Sequence, residues 1–171
     1  MSKCRCLFRI ALGLILLHSD AIAIEPGELA GPVRLIGRDD REILVSNYDE
    51  RPATAFVFLS SRCAATERSI ESINALYQKY RLRDVLYVGV CANDIETAAE
   101  LQTFARQRGM IFSIDRDPEG AASERLGVQA TPGVCLLDRE GRLVFRGGLD
   151  SEEGRAALES AIRQLLRGKS I

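Results

Sequence analysis

The residues best suited to chemistry in this sequence are its cysteines, and their placement says more than their number. Cys63 follows the apolar run Ala55 to Leu59 and the loop Ser60-Ser61-Arg62. It precedes a stretch from about residue 65 to 80 in which Ile70, Ile73, Tyr77 and Tyr80 recur at helical spacing. A cysteine at such a strand-to-helix join meets unpaired backbone N–H groups and the positive end of the helix. Both favour a thiolate, as does a neighbouring cation, here Arg62, and the thiolate is the form that attacks disulfides or peroxides. Cys63 is the candidate nucleophile.

The other polar groups near it set limits on that chemistry. Thr66 occupies the position at which a Cys-x-x-Cys site carries its second thiol, so reduction by a 63/66 dithiol is excluded. Its hydroxyl, one helical turn on, could still donate to the sulfur. Cys91 closes the apolar run Val85 to Cys91; if that strand lies parallel to 55–59, Cys91 ends on the same sheet edge and is an auxiliary candidate. A disulfide to Cys63 would need Cα atoms within roughly 7 Å. Cys135, inside Val134 to Leu137, reads as a small hydrophobe.

Thr131-Pro132 stands directly before that last strand, where an X-Pro bond is well placed to be cis. Asp94, after the 85–91 strand, reads as the cap of a helix beginning at Ile95.

The first 23 residues differ from the rest. Basic Lys3, Arg5 and Arg9 precede the apolar run Ile10 to Leu17, and Ala21-Ile22-Ala23 follows, which is the order of regions in a signal peptide. The run is far short of the roughly 20 residues a bilayer span needs. Cleavage after Ala23 is expected, giving a signal peptide over 1–23 and one domain over 24–171, exported to the periplasm or medium, with only transient membrane contact. That domain carries 20 basic and 23 acidic side chains, a balance that does not attract nucleic acid. The only histidine, His18, would be lost with the leader, along with Cys4 and Cys6. Histidine dyads, triads and metal sites are therefore excluded from the mature domain.

Positioning these groups requires alternating elements. Val33 to Ile36 and Ile43 to Val45 read as a hairpin. The unbroken run 55–59 reads as a strand covered on both faces, followed by a helix from about 65 to 80 and a strand over 85–91. A helix over 95–107, a short strand over 110–114 and a brief helix over 119–126 come next. Val134 to Leu137 and Leu143 to Phe145 flank a glycine turn, and a helix over 151–167 closes the chain. Alternating strands and helices give an α/β domain with a parallel core.

The segments Phe56-Val57-Phe58-Leu59-Ser60-Ser61-Arg62-Cys63, Val88-Gly89-Val90-Cys91-Ala92-Asn93-Asp94 and Ala130-Thr131-Pro132-Gly133-Val134-Cys135 together resemble the redoxin and AhpC/TSA-like branch of the thioredoxin superfamily. The resemblance implies a three-layer fold, a central mixed sheet with helices on both faces. It also implies a substrate groove shaped by Thr131 and Pro132 beside Cys63. A peroxiredoxin would carry Pro-x-x-x-Thr-x-x-Cys; here Phe56 and Ser60 occupy the proline and threonine positions, and only Ser60 keeps a hydroxyl.

The reading that follows is an exported thiol oxidoreductase acting on disulfides or peroxides through Cys63. Its resolving thiol would come from a redox partner protein or a small thiol, and no metal, nucleotide or flavin cofactor is implied. The alternative is a noncatalytic thioredoxin-fold binding module with a decayed site. A copper-handling relative would need a second nearby cysteine and a distal histidine, and the mature sequence supplies neither.

Overall fold

The computed structural model describes residues 23–168, so the leader expectation, with Cys4, Cys6 and His18, lies outside the described residues. The chain forms β1 (Val33–Ile36), β2 (Glu42–Val45), β3 (Ala53–Phe58), α1 (Ala64–Tyr80) and β4 (Val85–Cys91), followed by α2 (Ala98–Gln107) and β5 (Ile114–Arg116). Then come α3 (Ala121–Leu126), β6 (Gly133–Asp138), β7 (Leu143–Gly148) and α4 (Glu152–Leu166). One seven-stranded sheet has the order β2-β1-β5-β4-β3-β6-β7.

β3 runs parallel to β4, and β4 to β5; β6 is antiparallel to β3, and β1 to β5. The two parallel crossovers step in the same direction across the sheet, so their right-handedness puts α1 and α2 on one face. α4 joins them there. Ile70, Ile73, Leu101, Phe104, Leu158 and Ile162 pack over Ala55, Val57 and Tyr87. On the other face, Ala122 and Leu126 of α3, with Ile24, pack with Phe56, Phe58 and Val90, and Val33 and Leu35 of β1 join the same cluster. Every residue of β3 is buried. A strand covered on both sides needs apolar residues pointing both ways, which is why its sequence runs without alternation.

The layers, the mixed sheet and the two hairpins match the sequence reading, while several boundaries shift, two of them for a visible physical reason. α2 begins after Thr97, whose hydroxyl accepts from the Glu100 N–H while the Glu100 carboxylate accepts from the Thr97 N–H. This reciprocal box caps the helix in place of Asp94, which is exposed. The apolar stretch from Met110 enters the ladder only at Ile114. Phe112 is buried by packing on Tyr77, with ring centroids 5.3 Å apart, so its apolar character reports burial without a strand.

Gly89 is where backbones crowd: a Cβ there would stand 2.5 Å from the Ser113 carbonyl, which accepts from the Gly89 N–H. The register then gathers the site. Phe58 of β3 lies opposite Val90 and Gly133, and Cys91 opposite Arg116. The loops after β3, β4 and β5 and the loop before β6 therefore share one edge of the sheet.

Candidate functional site

Cys63 is the N-cap residue of α1, in extended conformation and partly exposed. Its thiol donates to the Thr131 carbonyl at 3.3 Å, across 68 positions of sequence, and the Thr131-Pro132 bond is cis. The proline loop therefore lies against Cys63.

The surroundings favour ionisation, lowering the Cys63 pKa from 9.0 to about 7. Hydrogen bonding from the Thr131 side chain contributes most, then the Thr66 backbone N–H; burial opposes, and the Thr66 hydroxyl and Ala65 N–H add to the lowering. Ala65 and Thr66 are donors at the first turn of α1, where unsatisfied N–H groups gather, and Thr131 reaches the sulfur from the loop before β6. Arg62 is not among them. Its guanidinium turns outward to Glu100 at 3.2 Å and to the Ile95 carbonyl, so the expected help from that cation is corrected: it is spent on a surface ion pair.

Thr66 is fully buried, and its Oγ1 accepts from the Ser60 N–H at 3.5 Å, which leaves its own proton for the sulfur. Ser60 is differently placed. Its hydroxyl donates to Glu96 Oε1 at 2.5 Å and accepts from the Arg62 N–H at 3.2 Å. A hydroxyl has one proton, and here it is committed away from Cys63.

Cys91 is fully buried, its Sγ 3.5 Å from Glu96 Oε1. Burial, chiefly, pushes its thiol up to about 12, and the neighbouring carboxylate adds to the effect. Cys135 is buried as well, donates to the Leu126 carbonyl at 3.2 Å, and is pushed by burial to about 12. Only one of these sulfurs is poised to ionise near neutral pH. Among the described residues, no group of His, Cys, Asp or Glu is arranged to hold a metal ion.

Glu96 is the residue that the sequence reading overlooked. It is 1% exposed, and its carboxylate receives the Ser60 hydroxyl, the Ser61 N–H at 2.7 Å and the Ser61 hydroxyl. The available signal was a second acid two residues beyond Asp94, on the edge that Ser60 and Ser61 also reach. Beside Thr131 opens a cleft of about 410 Å³ whose polar lining includes Ser60, Asn93, Ser123 and Gln129. Its walls carry no charged side chain.

A model of the AhpC/TSA family matches residues 26–146. A thiol-disulfide oxidoreductase ResA from Bacillus thuringiensis subsp. konkukian is 23% identical over 175 residues, covering 96% of this chain and 99% of the relative. In three dimensions the chain is similar to a hypothetical protein from Sinorhizobium meliloti 1021, with TM-score 0.77 and 24% identity over 87% of this chain and 88% of that one. It is also similar to a protein from Chlorobium tepidum assigned as a thiol:disulfide interchange protein DsbE, with TM-score 0.72 and 22% identity over 84% and 99%.

Proposed function

The chain belongs to the AhpC/TSA family, within the thioredoxin-like superfamily, and we propose that it is a thiol-disulfide oxidoreductase working through the single sulfur of Cys63. The observation that carries this reading is the placement of a partly exposed Cys63 sulfur at the N-terminus of α1 against Thr131, while the other two described cysteines are buried; its pKa is lowered and theirs are raised. The names of the relatives point the same way.

In this reading Cys63 Sγ attacks one sulfur of a substrate disulfide. The S–S bond breaks, the departing half leaves as a thiolate and takes a proton, and Cys63 holds the other half as a mixed disulfide. An external thiol then attacks that mixed disulfide and frees Cys63. A second external thiol completes the balance, so one substrate disulfide is reduced and one donor disulfide is formed. Thr66 has no sulfur to offer, and Cys91 is buried and protonated, so the donor is a partner protein or a small thiol. Thr131 and Pro132 form the wall against which the substrate docks.

Disulfide is favoured over peroxide by Ser60. The hydroxyl that would assist a peroxide already gives its proton to Glu96. The leader-like order of residues 1–23 supports action outside the cytoplasm, with cleavage after Ala23.

The test is to treat the reduced protein with glutathione disulfide, map adducts by mass spectrometry, and then add a thiol. One glutathione on Cys63, discharged by the thiol, is expected. A protein that takes up no glutathione while its folded Cys63 stays reduced would instead indicate a noncatalytic binding module.

A further inference from the structure

We infer that Glu96 is a positioning residue for Cys63: its buried, ionised carboxylate fixes the Ser60–Arg62 loop and thereby sets the sulfur against Thr131 and the first turn of α1. The inference rests on Cys63 being the reactive sulfur.

The case begins with cost. Glu96 is 1% exposed, and among the described residues no cation lies within ion-pair distance of it. A carboxylate so placed is tolerated only if hydrogen bonds replace its water. They do. Oε1 receives the Ser60 hydroxyl at 2.5 Å and faces the Cys91 thiol at 3.5 Å, and Oε2 receives the Ser61 N–H at 2.7 Å together with the Ser61 hydroxyl. Burial pushes the carboxyl up, but the Ser60, Ser61 and Cys91 donors outweigh it and hold it below the usual range.

Glu96 does not touch Cys63; its influence runs through the loop. Having donated to Glu96, the Ser60 oxygen is turned to accept from the Arg62 N–H, directly before Cys63. The Ser60 N–H reaches Thr66 Oγ1, which frees the Thr66 proton for the sulfur. Two of the contacts that orient the surroundings of Cys63 therefore start from a serine that Glu96 holds. The other charges nearby do not substitute for it: Arg62 faces Glu100, and Arg116 pairs with Asp40.

The experiment measures the rate of Cys63 alkylation by iodoacetamide against pH in the full chain, with circular dichroism to confirm folding. In Glu96→Gln one donor-bearing amide nitrogen must face hydroxyls and N–H groups that also donate. The loop should shift, with the alkylation midpoint moving up and the rate at pH 7 falling about threefold or more, the factor one net hydrogen bond is worth. Ser61→Ala is the second variant, because the Ser61 hydroxyl meets only Glu96, so a change at Cys63 must travel through the carboxylate. It should shift the profile in the same direction by less. The double variant should match Glu96→Gln alone.

Folded variants with unchanged profiles, or additive shifts in the double variant, would overturn the role. Should Glu96→Gln fail to fold, Ser61→Ala decides: a raised midpoint supports the role and an unmoved one overturns it. Alkylation needs only a thiolate, so the result stands apart from whether Cys63 reduces disulfides.

Discussion

Cys63 and Cys91 come to the same edge of the sheet from neighbouring parallel strands, yet their sulfurs are in opposite states. Cys91 is the last residue of β4, fully buried, its thiol facing a carboxylate and raised to about 12. Cys63 lies past the end of β3, at the N-cap of α1, partly exposed among donors and lowered to about 7. The few residues of loop between strand and helix exchange a carboxylate and an apolar core for N–H groups and hydroxyls. Reactivity here is set by which end of which element the sulfur occupies, more than by its sheet edge.

The comparison breaks first by deletion. Cys63→Ser should reduce disulfide turnover to the background rate of the donor thiol, while Cys135→Ala retains turnover, as measured with a disulfide-linked reporter peptide. Equal turnover in wild type and Cys63→Ser would end the proposed mechanism.

A smaller effect is expected in the core. Cys135→Ser places a stronger hydrogen-bonding group at a fully buried position where the thiol's hydrogen-bond partner is the Leu126 carbonyl. It should cost about 1–3 kcal/mol in urea unfolding without changing the rate at which Cys63 is labelled. An unchanged midpoint would show that Cys135 packs less tightly than its surroundings indicate.

The smallest effect is in the pH dependence of stability. The Cys63 pKa is lower in the folded chain than its ordinary 9.0, so its ionisation favours the folded state fully above pH 9, and that contribution is lost as pH falls from 9 to about 7. The contributions of Cys91 and Cys135 have the opposite sign. With pKa values raised to about 12, they favour the folded state below pH 9 and lose that contribution as pH rises from 9 towards 12. The stability difference between wild type and Cys63→Ser should therefore grow between pH 7 and 9. A difference that shrinks over this range would reverse the sign assigned to Cys63.

Much of this contrast was legible in the sequence, for a physical reason. Continuous apolar runs such as 55–59 and 85–91 announce strands covered on both faces, and a cysteine between such a run and an amphipathic stretch announces a helix N-terminus. The proline loop opposite could also be placed, because Thr131-Pro132 directly precedes a strand that a proline cannot occupy centrally. Glu96 was visible only as a second acid beyond Asp94, and its role was not legible. Nothing local distinguishes it from Asp94, and its burial depends on β3 and β4 bringing Ser60 and Ser61 against it. The direction of Arg62 was hidden likewise, because Glu100 becomes its partner only once Thr97, and not Asp94, starts α2. Local pattern reports periodicity and caps; it does not report which side chain a distant loop will need.

The most direct measurement of the central claim is the pH profile of alkylation at each cysteine of the folded protein, read by mass spectrometry. Cys63 should be modified with a midpoint near 7, while Cys91 and Cys135 remain unmodified until the chain is unfolded. A Cys63 midpoint at 9 or above, or modification of Cys91 at a comparable rate in the folded state, would contradict it.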